Sequence, residues 1–201
     1  MKILAASDLH SDKKAAEKLA KKAKKNKVDL VVLCGDILEM GSDGNGLIGP
    51  FKKEGIEVLM VHGNHDTPMD MDFLSEKYGK GVYNIHSYYK LFGDVAVLGA
   101  GGTSFGFIGS PDDDLFKSLK VNFKKSKGKK TVLLTHEPPL DTKLDNIGWT
   151  NAGSADIRKI IETYKPDLVV CGHIHETFGL TDYLGKTKIV NAGKSGVIID
   201  I

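Results

Sequence analysis

Short apolar runs recur along the chain, and the residues just past five of them are Asp, Asn and His. After Lys2–Ala6 come Asp8 and His10. Behind Asp29–Leu33 stands Gly35-Asp36, and Ile56–Val61 runs into Gly63-Asn64-His65-Asp66. Thr131–Thr135 is followed at once by His136, and Leu168–Cys171 by Gly172-His173-Ile174-His175. Runs of this length with no polar alternation read as strands buried on both faces. Between them lie helical patterns. Ala16, Leu19, Ala20 and Ala23 share one face of a helix over 13–25, whose lysines form a solvated opposite face. A second helix is expected over 69–77. A third opens at Ser110-Pro111-Asp112-Asp113-Asp114, where the acids read as caps, and carries Leu115, Leu119 and Phe123. A fourth holds Ile157, Ile160, Ile161 and Tyr164. The alternation predicts an α/β fold with a partly parallel sheet. Further strands are expected over 82–91 and 94–98. Two or three antiparallel strands, over 178–183, 188–191 and 197–201, are expected to close the chain.

In α/β sheets ligands collect at the carboxyl ends of the strands. If these strands are parallel neighbours, the five fragments meet in one crevice, with five of the chain's seven histidines. Each fragment alone is common; five in order, all at strand ends, are not. The donors are carboxylate, amide and imidazole, with no thiolate. That set disfavours a cysteine zinc site and an oxygen-only Mg²⁺ or Ca²⁺ cage, and fits Mn²⁺, Fe, Zn²⁺, Co²⁺ or Ni²⁺. Two Asp, one Asn and four His exceed the needs of one ion with an open position. They suit two ions roughly 3.5–4 Å apart that share a carboxylate.

The rest of the composition narrows the reading. The chain has 201 residues, 28 basic against 26 acidic, so it offers no global field for a polyanion. Arg158 is its only arginine. A chain that grips phosphate through side chains normally uses bidentate arginines, so metals or backbone amides would have to carry that charge. No run approaches the roughly 20 apolar residues of a membrane span. The N-terminal run reads as a first strand rather than a signal peptide, so the expected compartment is cytoplasmic. Cys34 and Cys171 each end an apolar run and read as buried free thiols. No repeat or linker interrupts the pattern, and a single domain over 1–201 is expected.

Asp8-Leu9-His10, Gly35-Asp36, Gly63-Asn64-His65-Asp66, His136 and Gly172-His173-Ile174-His175 resemble, in order and approximate spacing, the calcineurin-like metallophosphoesterase superfamily. The stretch from His136-Glu137-Pro138-Pro139 through Gly153-Ser154 and Arg158 to His175-Glu176 is similar to its small single-domain prokaryotic phosphoesterases. The resemblance implies a four-layer α-β-β-α sandwich with a dinuclear metal site at the strand ends. It implies that Asp8, His10 and His175 hold one divalent transition-metal ion, Mn first among the candidates. Asn64, His136 and His173 would hold the second, with Asp36 bridging. His65 would face the substrate as acid, Asp66 would orient it, and Asn64 and His65 would contact substrate. The implied reaction is hydrolysis of phosphomonoesters or phosphodiesters, nucleotides among them, by a metal-bridging hydroxide attacking phosphorus.

The expected partner is a small phosphoester, with no membrane, no strong sign of nucleic-acid binding, and a homo-oligomer left open. Two competing readings are a protein-binding scaffold that has lost catalysis and a nuclease. The intact ligand set and His65 disfavour the first. The lack of an added nucleic-acid domain or continuous basic stripe disfavours the second. His62 and His86 read as packing residues. Asn191-Ala192-Gly193 reads as a turn near the site, and the glycine-rich segments 41–49 and 99–109 as its borders.

Overall fold

The computed structural model describes residues 1–103 and 113–201, the side chains of 113–115 excepted. Its strands form two sheets. The first has the order β11-β1-β2-β3-β4, from β1 (Lys2–Ala6), β2 (Leu30–Cys34), β3 (Glu57–Val61), β4 (Val82–Asn84) and β11 (Val197–Asp200). Its first four strands run parallel, and β11 lies antiparallel on β1. The second sheet has the order β5-β6-β7-β8-β10-β9. It comprises β5 (Tyr89–Phe92), β6 (Val95–Ala100), β7 (Lys130–Thr135), β8 (Leu168–Cys171), β9 (Thr181–Leu184) and β10 (Thr187–Asn191). Here β6, β7, β8 and β10 are parallel, with β5 and β9 antiparallel at the two edges.

Side-chain alternation along the strands builds the layers. Ile3 and Ala5 of β1, with Leu30 and Val32 of β2, face Val132, Leu134, Leu168 and Val170 of the second sheet in one buried core. The opposite faces bury helices. Leu4, Ala6, Val31 and Leu33 meet α1 (Lys13–Asn26), α2 (Gly49–Lys53) and α3 (Pro68–Tyr78). Leu133 and Val169 meet α4 (Asp113–Lys125) and α5 (Ala155–Tyr164). The result is the expected α-β-β-α sandwich, and it explains why most strands read as unbroken apolar runs: they are covered on both sides.

The helix starts follow from local chemistry. Asp12 caps α1 by accepting from the Ala15 amide, and Ser154 caps α5 through Ile157. Thr67 and Asp70 form a reciprocal capping box on α3. The acid caps expected at 110–114 lie outside the described residues.

Two expectations are corrected, and one element is added. The run 82–91 is two strands in different sheets. Asn84 turns its side chain onto the His86 amide, Ser87 adopts φ 64°, and the chain crosses from the first sheet to the second. The closing strands are not one antiparallel unit. β9 and β10 form an antiparallel pair, but β10 lies parallel beside β8 and β11 joins the other sheet. The short helix α2, which buries Phe51, begins where the glycine-rich segment 41–49 ends and was not among the expected elements. Among the described residues no helix is long and apolar enough to cross a membrane.

Candidate metal centre

Parallel pairing puts the carboxyl ends of β1, β2 and β3 on one edge of the first sheet and those of β7 and β8 on one edge of the second, and contacts such as Asp36–His136 and Asp8–His175 join the two edges. Glycine makes the approach possible. A Cβ on Gly35, which holds φ 84°, would collide with the His136 ring, and one on Gly63 would collide with the Asp36 carboxylate. Around the crevice the backbone is strained. Asp8, His10, Ser11, Asp36 and His173 all hold left-handed φ, between 46° and 70°. Each such conformation costs about 1–3 kcal/mol, and such residues cluster where function demands a fixed aim.

Asp36 sits at the middle. Its Oδ1 accepts from the amides of Asn64 and His65, both at 2.8 Å, which ties the turn after β3 to the turn after β2. That leaves Oδ2 facing imidazoles, 3.5 Å from His136 Nε2 and 3.8 Å from His10 Nε2. Burial would push the Asp36 carboxyl up, but His136 and the His65 amide outweigh it and hold it well below the usual carboxylate range. Asp8, also buried, has Oδ1 at 3.5 Å from His175 Nε2 and accepts from the His173 amide.

His136 is fully buried. Its Nδ1 lies 2.8 Å from the Cys34 carbonyl, which can only accept, so Nδ1 carries the proton and Nε2 is left bare in the neutral ring. Nε2 points at Asn64 Oδ1, 3.1 Å away. Burial opposes protonation of His136, yet the Asp36 hydrogen bond and charge raise its pKa to about 9. A cation in the crevice would take the place of that proton. The His173 ring meets His136 edge-on at 5.0 Å, and burial lowers its pKa to about 4, so it stands neutral.

Donor atoms of Asp8, His10 and His175 lie within 4.8 Å of one another, as do those of Asp8, Asp36 and His136, and those of His10, Asp36 and His65. The three groups share members, which is the arrangement two adjacent cations need. The fit to metal is further supported by His10, whose buried Nε2 has no hydrogen-bond partner. A buried imidazole nitrogen without a partner is costly unless something else takes its lone pair.

His65 is partly exposed at the mouth, its ring edge-on to His10 at 4.8 Å. The residue beside it is one that sequence reasoning missed. Glu39 reaches His65 Nδ1 at 3.5 Å and lies 2.7 Å from His10 Nδ1, in the latter case without hydrogen-bond alignment. It follows Asp36 by three residues on the same turn, and that position was its only sequence signal. Asp66 holds backbone. Its buried carboxylate accepts from the amides of Gly63, Asp36, Ile37 and Leu38, pinning the two ligand turns together. Burial pushes it up to about 6, with the Asp36 charge adding to that push and the amides opposing it.

The remaining readings sort as packing. His62 is buried edge-on against His86 at 4.5 Å, and burial brings its pKa down to about 3. His86 Nδ1 accepts from the Gly101 amide at the crossing between the sheets. Asn191 donates to the Ile174 carbonyl and to Thr177, bracing the turn that carries His173 and His175. Arg158 donates to the carbonyls of Leu140 and Asp141 and pairs with Glu162, so it holds a loop. Both cysteines are buried, and burial raises both thiols. The segment 41–49 docks on α3 through Lys77 and Tyr78, and 104–109 of the other glycine-rich segment lies outside the described residues.

A two-sheet sandwich with Asp, Asn and His gathered at the strand ends defines a class, the metallophosphoesterases. A family model for calcineurin-like phosphoesterases matches residues 1–177, and the chain belongs to that family. It is 31% identical over 153 residues to the UPF0046 protein K07C11.7 of Caenorhabditis elegans, a match covering 68% of this chain. The match covers 51% of that relative, so the chain spans about half its length. In fold it is similar to TT1561 of Thermus thermophilus, with a TM-score of 0.78 at 21% identity over 96% of this chain and 90% of that one. It is also similar to a dimetal phosphatase from Danio rerio, with a TM-score of 0.67 at 10% identity over 95% and 86%.

Proposed function

We propose that this chain is a metal-dependent phosphoesterase that hydrolyses small phosphomonoesters or phosphodiesters, acting as one domain over 1–201. The observation that carries this reading is the set of three overlapping Asp/His donor groups around Asp36 and Asp8. Family membership supports the hydrolase class. In this reading Asp8, His10 and His175 hold one divalent ion, Asn64, His136 and His173 a second, and Asp36 lies between them. Two such ions, Mn first among the candidates, would when bound acidify a water and neutralise the phosphoryl oxygens.

The chain's own side chains do the rest. Asp36 keeps its charge and leaves Oδ2 facing into the crevice, where it would be available to a cation, because two amides occupy Oδ1. The bond to Cys34 fixes the His136 ring with Nε2 forward. His65 stands at the mouth with the Glu39 carboxylate at its Nδ1, which leaves the other ring nitrogen to protonate a leaving oxygen. The absence of arginine from the crevice is consistent with charge carried by cations.

The test is turnover of an aryl phosphate and an aryl phosphodiester by protein loaded with Mn²⁺. Hydrolysis that a chelator abolishes and added metal restores is expected. A fully metallated preparation inert on both substrates would refute the reading.

A further inference from the structure

One groove outside the metal centre takes half of its lining from lysine. It lies between α1 and the turn joining β10 to β11, with a volume of about 380 Å³, within the range of small-ligand sites. Lys14, Lys18 and Lys22 line it from the helix, and Lys194 from the turn. The three helix lysines follow at i, i+4 and i+8, so they form one stripe with heads about 6 Å apart along the axis. Like charges at that spacing destabilise a helix, and the sequence keeps three of them in a row.

Asp12 is the one acid in the lining, and both of its oxygens are engaged, one by the Ala15 amide and one by Lys194 at 2.9 Å. Lys22 donates to the carbonyls of Ser195 and Gly196, which fixes its position without neutralising it. Lys14 and Lys18 are exposed and pair with no carboxylate among the described residues. Ala15 and Leu19 supply an apolar floor.

One end of the groove, where Asp12 and Lys194 pair, lies close along the chain to the metal centre. Asp12 lies two residues past His10, a reach of at most about 7 Å. Lys194 follows Gly193, whose carbonyl accepts from the Ser7 amide beside Asp8. The lysine-bearing groove, with its apolar floor, thus begins next to the strand end that carries Asp8 and His10.

We propose that this groove is a subsite for a second phosphate, so that the preferred substrates are phosphoesters carrying another phosphate beyond the scissile one. This rests on the phosphoesterase reading above. Lys14 and Lys18 are the residues that bind the extra phosphate, and Lys22 and Lys194 border it.

The experiment compares thymidine 5′-(p-nitrophenyl phosphate) with and without a 3′-phosphate, using Mn²⁺-loaded protein and the Lys14→Gln/Lys18→Gln double variant. Glutamine keeps helix propensity, and thermal melting checks that the variant is folded. The wild type is expected to favour the 3′-phosphorylated ester by about tenfold in kcat/KM at low salt, with the preference shrinking as salt rises. The double variant is expected to lose that preference. Equal kcat/KM for the two esters in the wild type, or a preference retained in the variant, overturns the proposal. If neither ester turns over, the phosphodiesterase reading is what fails. Calorimetric titration with thymidine 3′,5′-bisphosphate and thymidine 5′-monophosphate then reads the groove independently. Tighter binding of the bisphosphate that disappears in the variant supports the subsite, and equal binding of the two overturns it. Binding to phosphatidylserine vesicles that depends on Lys14 and Lys18, with no bisphosphate preference, would make the groove a membrane surface and also overturn the proposal.

Discussion

His65 and Glu39 are the residues at which the proposed proton transfer can be tested apart from metal binding. His65 neighbours the proposed ligand Asn64 in sequence but stands at the mouth, within reach of Glu39. His65→Ala is expected to retain full metal content while kcat falls roughly 10²–10⁴-fold, with a smaller loss for aryl leaving groups that need little protonation. Metal analysis beside kinetics checks this, and loss of an ion in that variant would refute the assignment. Glu39→Gln removes the charge beside the His65 ring. A milder fall in kcat is expected, again larger for poor leaving groups than for aryl ones. Asp36→Asn differs in kind. It strips charge from the carboxylate common to both proposed ions, so metal content and activity are expected to fall together.

Asp66 acts at the scale of elements, because it binds the turn after β2 to the turn after β3. Its carboxylate is the buried acceptor for four amides. Removing it leaves those amides in a site closed to water, at about 1–3 kcal/mol for each one that stays unpaired. Asp66→Ala is therefore expected to lower the melting temperature markedly and to weaken metal binding through misplacement of Asp36 and Asn64. Asp66→Asn keeps one acceptor oxygen and is expected to fall between the wild type and Asp66→Ala. Thermal melts with and without metal check both variants; unchanged stability in Asp66→Ala would show that the pinning is not needed.

For the whole molecule the consequence is linkage between metal and stability. The candidate ligands come from the ends of strands in both sheets, so a cation bound among them joins the two halves of the sandwich. Binding to the folded state alone raises stability by mass action. Saturating Mn²⁺ is expected to raise the melting temperature, with a chelator reversing the gain. Elemental analysis is expected to approach two equivalents per chain, and saturation at one would refute the paired-ion reading.

Much of this was legible in the chain itself. Apolar runs covered on both faces announce central parallel strands, and the ligands of such a sheet fall just past the strand ends. For that reason Asp8, His10, Asp36, Asn64, His136, His173 and His175 could be named as candidates from their places along the chain. The helix expected over 13–25 was legible from its apolar face and stands at Lys13–Asn26. The strand partners were not. A run buried on both faces carries no alternation to say which sheet it joins. Hence the split of 82–91 between sheets, the parallel seat of β10 beside β8 and the return of β11 to β1 emerged only from packing. Glu39 and Asp66 make the same point at smaller scale. Both are carboxylates on ligand-bearing turns, and only the fold places one against an imidazole and the other against four amides, because a side chain's partner is set by what the chain brings to it in space.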